Sequence, residues 1–173
     1  MYTRNLLWLV SLVSAAPLYA ADVPANTPLA PQQVFRYNNH SDPGTLDPQK
    51  VEENTAAQIV LDLFEGLVWM DGEGQVQPAQ AERWEILDGG KRYIFHLRSG
   101  LQWSDGQPLT AEDFVLGWQR AVDPKTASPF AGYLAQAHIN NAAAIVAGKA
   151  DVTSLGVKAT DDRTLEVTLE QPV

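Results

Sequence analysis

No stretch of the chain leaves less conformational choice than Trp103 to Pro124, WSDGQPLTAEDFVLGWQRAVDP. Ser104, Asp105 and Gly106 supply the side-chain-to-backbone hydrogen bonds and the positive φ that a tight turn needs. Thr110 is placed to cap a helix, with Asp113 reciprocating three positions later, and Glu112 and Asp113 lie against the positive end of the helix dipole. Phe114, Val115, Trp118 and Val122 then recur at the helical period, and Asp123-Pro124 stops the run. The segment therefore predicts a turn, a helix from Thr110 to about Val122 with one apolar face, and an abrupt end.

The rest of the chain reads as short elements separated by turn formers. Val34 to Tyr37 predicts a short strand, followed by a bend-rich stretch containing Asp42-Pro43-Gly44 and Asp47-Pro48. From Asn54 the pattern becomes helical. Ile59, Val60, Leu63, Phe64 and Leu67 share a face, Asn54 or Thr55 is placed as the cap, and the helix is expected over about Ala56 to Glu65 with a stop near Gly66. Leu67 to Pro78 predicts two strands around a glycine turn, and Lys91 to Arg98 a further strand. An alanine-rich helix is expected over Ala135 to Gly148, although Asn140-Asn141 could split it. The last segment, GVKATDDRTLEVTLEQPV, predicts a hairpin with Leu165, Val167 and Leu169 facing inward. The fold class is mixed α/β (α+β) with antiparallel hairpins, because no run of βαβ units demands a parallel sheet.

The first twenty residues differ in kind. Arg4 precedes the apolar run Leu6 to Val13, and SAAPLYA ends at Ala20. The apolar core is far short of the roughly 20 residues that span a bilayer, so the segment reads as a secretory signal peptide, cut after Ala20 or Ala21. Leu18 is larger than the small residue preferred at the third position before the first of these bonds. No stable membrane insertion is expected once the segment is cut. Asp22 to Gln33 carries three prolines without apolar periodicity and reads as an extended arm.

Charge and cysteine usage narrow the function. The formal charge is -9 and becomes -10 when Arg4 leaves with the signal segment, which repels phosphate backbones and argues against nucleic acid as a partner. The absence of cysteine rules out disulfides, thiolate metal sites, a cysteine nucleophile and lipid attachment through an N-terminal cysteine. Export without disulfides points to a bacterial periplasm or the outside medium.

No catalytic constellation emerges. His40, His96 and His138 form neither an i, i+4 pair nor an HExxH frame, and each reads as structural, so no metal site is expected and no cofactor is called for. The acid pairs Glu52-Glu53 and Asp161-Asp162 diverge in space and read as solvated turns. No serine lies in a G-x-S-x-G elbow, and no glycine-rich phosphate loop occurs. Trp69, Trp84, Trp103 and Trp118 could line a cleft, but their placement in strands and a helix reads as core. Ligand contact is expected instead in the loop Asp123 to Tyr133, where small polar residues and aromatics coincide without periodicity.

Four segments, TLDPQKVEEN, DLFEGLV, FHLRSGLQWSDGQPLTAEDFVLGWQRAVDPKTASPFAGYL and LGVKATDDRTLEVTLEQPV, together resemble the periplasmic oligopeptide-binding proteins of ABC importers, within the larger class of peptide and nickel solute-binding proteins. The resemblance implies the N-terminal part of a two-lobed binding protein that encloses short peptides, hands them to an inner-membrane ABC permease as a monomer, and performs no chemistry. Domain limits follow the same analogy: signal peptide 1–20, arm 21–33, the start of an incomplete lobe I over 34–64, a small second domain over 65–173, and no C-terminal lobe. Asn54, Ser128 and Phe130 match positions expected to face the ligand. Leu61 falls where well-known relatives carry a basic residue, which removes one ion pair. Murein peptide, dipeptide, haem or nickel are alternative ligands within the class, and a noncatalytic fragment serving as an interaction module is the alternative outside it.

Overall fold

The computed structural model describes residues 27, 28 and 30–172. The chain divides into two compact units, 1–38 and 39–173. The expected signal peptide and its cleavage bond lie outside the described residues. In the first unit the described residues carry neither helix nor strand. Val34 to Tyr37, expected as a strand, joins neither sheet, and Phe35 is exposed with its ring stacked on Tyr37 at 5.9 Å. Four residues with β propensity do not make a strand unless a neighbouring backbone completes the ladder.

In the second unit helix α1 (Asn54–Leu63) is followed by the strands β1 (Val68–Met70), β2 (Val76–Pro78), β3 (Ala81–Leu87) and β4 (Arg92–Leu97). Helices α2 (Ala111–Val122), α3 (Ala131–Gln136) and α4 (Ala142–Val146) come next, and the hairpin β5 (Val157–Asp161) and β6 (Thr164–Thr168) closes the unit. Strands β1 and β2 form a small hairpin sheet, and the second sheet has the order β3-β4-β6-β5 with every neighbour antiparallel. This is the mixed, antiparallel architecture that the turn spacing predicts. Helix α2 lies across β5 and β6, and α3 and α4 pack against α2. Between the layers Leu97, Val122, Ile145 and Leu165 are fully buried, joined by Val115, Val157 and Val167.

The joint before α2 has the geometry its residues specify. The Trp103 N–H donates to the Gln107 carbonyl at 2.8 Å, Gly106 takes φ 85°, and the Asp105 carboxylate accepts from the Gln107 N–H at 2.9 Å. The Asp113 carboxylate accepts from the Thr110 backbone N–H at 2.7 Å, closing the capping box. The Ala111 N–H donates to the Asp162 carbonyl at 2.9 Å, which pins the start of α2 to the β5–β6 turn.

The structure adds to or corrects the expectations at four places. Strand β3 has no counterpart among the expected elements, because AERWEIL shows no clean alternation; it is an edge strand whose ladder partner is β4, and its charges mask the outer edge. The helix expected over 135–148 is split, as Asn140-Asn141 allows, into two short helices. His138 and Asn141 take φ 55° and 65° so that Ile139 can bridge to Leu169 and the Asn140 N–H can reach the Thr168 carbonyl at 3.0 Å. Helix α1 starts at Asn54 with Glu53 as its cap residue and no side-chain cap, so neither Asn54 nor Thr55 plays that role. The tryptophans divide: Trp118 packs against the core, whereas Trp69 and Trp103 are exposed, because each borders a recess and not the sheet–helix interior.

Candidate functional site

The surface expected to meet a ligand is built on the C-terminal end of α2. Beyond Val122 the chain turns into a loop braced by its own backbone. The Asp123 carboxylate accepts from the Lys125 N–H at 2.9 Å, the Thr126 N–H donates to the Asp123 carbonyl at 2.9 Å, and Ala127 takes φ 52°. Ser128 Oγ accepts from the Phe130 N–H at 3.2 Å, and the Ser128 carbonyl accepts from the Ala131 N–H at 3.3 Å, which starts α3. The Phe130 ring is half-buried and lies 6.0 Å from the ring of exposed Tyr133, 21° from parallel. Ser128 and Phe130 are thus held together as one rigid corner that presents an aromatic pair.

Asn54 stands apart from that corner, exposed at the first position of α1. Among the described residues no hydrogen bond or ring contact joins it to Ser128 or Phe130. Its approach is nevertheless fixed by α2. Arg120 Nη1 donates to Asp47 Oδ1 at 2.9 Å and to Gln49 Oε1 at 2.7 Å, while Nη2 donates to Asp47 Oδ2 at 2.6 Å. Gln49 Nε2 in turn donates to the Gly117 carbonyl at 2.5 Å. The Arg120 guanidinium holds the Asp47 carboxyl down at about 2, and Asp47 raises the Arg120 pKa in return. Sequence reasoning misses this cluster. Asp47 and Arg120 both lie within recognisable motifs, but nothing in a linear reading pairs residues 73 positions apart.

Two recesses flank the end of α1. One, of about 470 Å³, is lined by Leu63, Phe64, Gln80, Trp103, Leu109 and Phe114, so the turn that leads into α2 also walls a cavity. Gln80 Nε2 donates to the Glu65 carbonyl at 3.0 Å, while its buried Oε1 makes no hydrogen bond among the described residues. The other, of about 630 Å³, is bordered by Leu61, Leu63, Phe64, Val68, Trp69 and Met70. Leu61 is 73% exposed there.

Two of the histidines make side-chain hydrogen bonds of their own. His96 Nε2 is 2.7 Å from Glu85 Oε1, and with Arg83 it holds the Glu85 carboxyl below the usual range. His138 Nε2 is 2.8 Å from the Gln171 amide nitrogen. Among the described residues no group of three histidine or carboxylate side chains converges as a metal site. Nor is any helix among them long and apolar enough to cross a membrane. The side chains at the corner of α2 offer an aromatic face and a hydroxyl, a chemistry of contact and hydrogen bonding.

Residues 75–173 match the bacterial extracellular solute-binding proteins, family 5, middle part, and the chain belongs to that family. It is 51% identical over 165 residues to the periplasmic oligopeptide-binding protein OppA of Salmonella typhimurium, an alignment that covers 95% of this chain and 30% of that protein. It is 46% identical over 165 residues to the periplasmic murein peptide-binding protein MppA of Escherichia coli, with the same coverage of 95% and 30%. The crystal structure of Haemophilus influenzae OppA in complex with the peptide RPPGFSPFR superposes with a TM-score of 0.75 at 45% identity, over 79% of this chain and 26% of that one. The chain thus spans about 30% of the length of the curated relatives it matches.

Proposed function

We propose that the chain serves in the substrate-binding component of a periplasmic ABC importer, where it contributes to capturing short peptides that an inner-membrane permease then takes up. The peptide leaves with its bonds intact. The observation that carries this reading is the superposition on a relative solved with a bound peptide, at 45% identity. The braced corner of Ser128 and Phe130 adds support: a rigid aromatic with an adjacent hydroxyl suits a ligand recognised through its backbone, with tolerance for varied side chains. Asn54, Ser128 and Phe130 are the ligand-facing residues in this proposal. The expected export segment and the absence of cysteine support a periplasmic location. The same reading takes residues 34–64 as the beginning of a first lobe and 65–173 as a small second domain.

A second reading, murein peptide as the ligand, is favoured by the match to MppA. Calorimetry separates the two. A chimera in which this chain replaces the matched part of the Salmonella typhimurium protein is titrated with tri- to pentapeptides and with a murein tripeptide. Binding heat with ordinary peptides supports the first reading, and heat with the murein peptide alone supports the second. A chimera that ignores both while another small solute binds removes the peptide assignment.

A further inference from the structure

We infer that Arg120 is the positioning residue of the peptide-facing surface, holding the segment that leads into Asn54 on the same helix end that carries the Ser128–Phe130 corner. The inference rests on the peptide-binding reading above and adds a residue to it. Arg120 lies in the last turn of α2, three positions before Asp123, where the corner loop begins. Its planar fork takes both oxygens of Asp47, at 2.9 and 2.6 Å, and Gln49 Oε1 at 2.7 Å. A bidentate arrangement of this kind fixes orientation as well as distance.

The clamped segment is itself stiff, so that anchoring it also anchors the start of α1. The Asp47 N–H donates to Thr45 Oγ1 at 3.1 Å, the Gln49 N–H donates to Asp47 Oδ1 at 3.1 Å, and the Lys50 N–H donates to the Asp47 carbonyl at 2.9 Å. Val51 is then buried, and Asn54 comes three residues later. Helix α1 does little to set its own start. No side chain caps it, Ala56 is its one fully buried residue, and Leu61 and Leu63 face outward. The clamp, together with buried Val51 and Ala56, therefore decides where the first turn of α1 stands.

The test uses the 173-residue chain and amide-resolved NMR, which reads weak binding and hydrogen exchange in one sample. Arg120→Ala is expected to speed exchange of the amides of 45–57 about tenfold or more, the scale of a lost set of charge-assisted hydrogen bonds, while β4 and β6 exchange as before. On titration with a tripeptide it should lose the shift at Asn54 and keep that at 126–131, with affinity down about tenfold. Arg120→Lys, which keeps the charge without the fork, should fall between. Exchange that rises equally in β4 and β6 makes Arg120 a general stabiliser and overturns the inference, as does peptide affinity that Arg120→Ala leaves unchanged. A wild-type chain that shifts with no peptide, together with a chimera that gives no peptide binding heat, overturns the function reading first and the ligand role of Arg120 with it, whatever the exchange shows.

Discussion

Two glycines show how far a single Cβ can matter in this fold. At Gly156 an added methyl carbon would stand 2.7 Å from the Thr168 carbonyl oxygen and 2.7 Å from Asn140 Cβ. The carbonyl is fixed by the Asn140 N–H, so the crossing of 140 over the β5–β6 hairpin has to yield. Gly156→Ala is expected to cost about 1–3 kcal/mol in urea unfolding. Gly117 in α2 meets nothing within 4 Å, so Gly117→Ala should gain about 0.5–1 kcal/mol by removing backbone freedom from the unfolded chain. The Gly117 carbonyl that Gln49 uses is unaffected. Equal effects of the two substitutions would show that close approach at Gly156 is unimportant. At the other end of α2, Asp113→Ala removes the acceptor for the Thr110 N–H and should cost about 1 kcal/mol in the same assay.

A polar tie across 73 positions joins Asp47 to Arg120, and it carries a pH signature. The Asp47 carboxyl is depressed in the folded chain, so its contribution is fully present above its ordinary value of 3.8 and is lost as pH falls through about 2. The Arg120 side chain is nearly half exposed, and solvent screening holds the expected loss to about 1 kcal/mol. Stability of wild type between pH 5 and 2 should therefore fall more steeply than that of Asp47→Asn, and high salt should shrink the difference. Parallel pH curves would show that the tie does not stabilise the fold. Elements are legible in the sequence where local chemistry decides them. The turn-cap-helix run of 103–122 and the β5–β6 hairpin are set by neighbours within a few residues. The features that escape a linear reading are decided at a distance: β3 exists because β4 offers it an edge, and the Arg120 clamp spans 73 positions, while the break at 138–141, open in the sequence at Asn140-Asn141, is settled because Leu169 and Thr168 take Ile139 and Asn140 as partners. At the candidate site, the corner loop is legible from its composition, whereas the means of holding Asn54 is not.

At the scale of the second unit, covered and uncovered apolar surface are unevenly divided. The layer between α2 and the four-stranded sheet is closed, yet Leu61, Leu63, Phe64, Trp69 and Met70 form a contiguous apolar border around one recess, with Leu61 and Met70 exposed to 73% and 67%. Such a patch favours association, while a net charge of -9 opposes it by mutual repulsion. The balance should depend on salt. At low ionic strength repulsion keeps copies of the chain apart, and once the Debye length falls to about 8 Å or less the short-range apolar attraction prevails. Sedimentation velocity is expected to show association that grows with salt and concentration, together with enhanced fluorescence of an apolar-surface dye. The triple substitution Leu61→Gln, Leu63→Gln, Met70→Gln should abolish both effects while changing unfolding stability by less than about 0.5 kcal/mol, because these side chains already face water. A large stability loss would mean that they support the fold, and association that weakens with salt would mean that charge pairing, not apolar contact, draws the chains together.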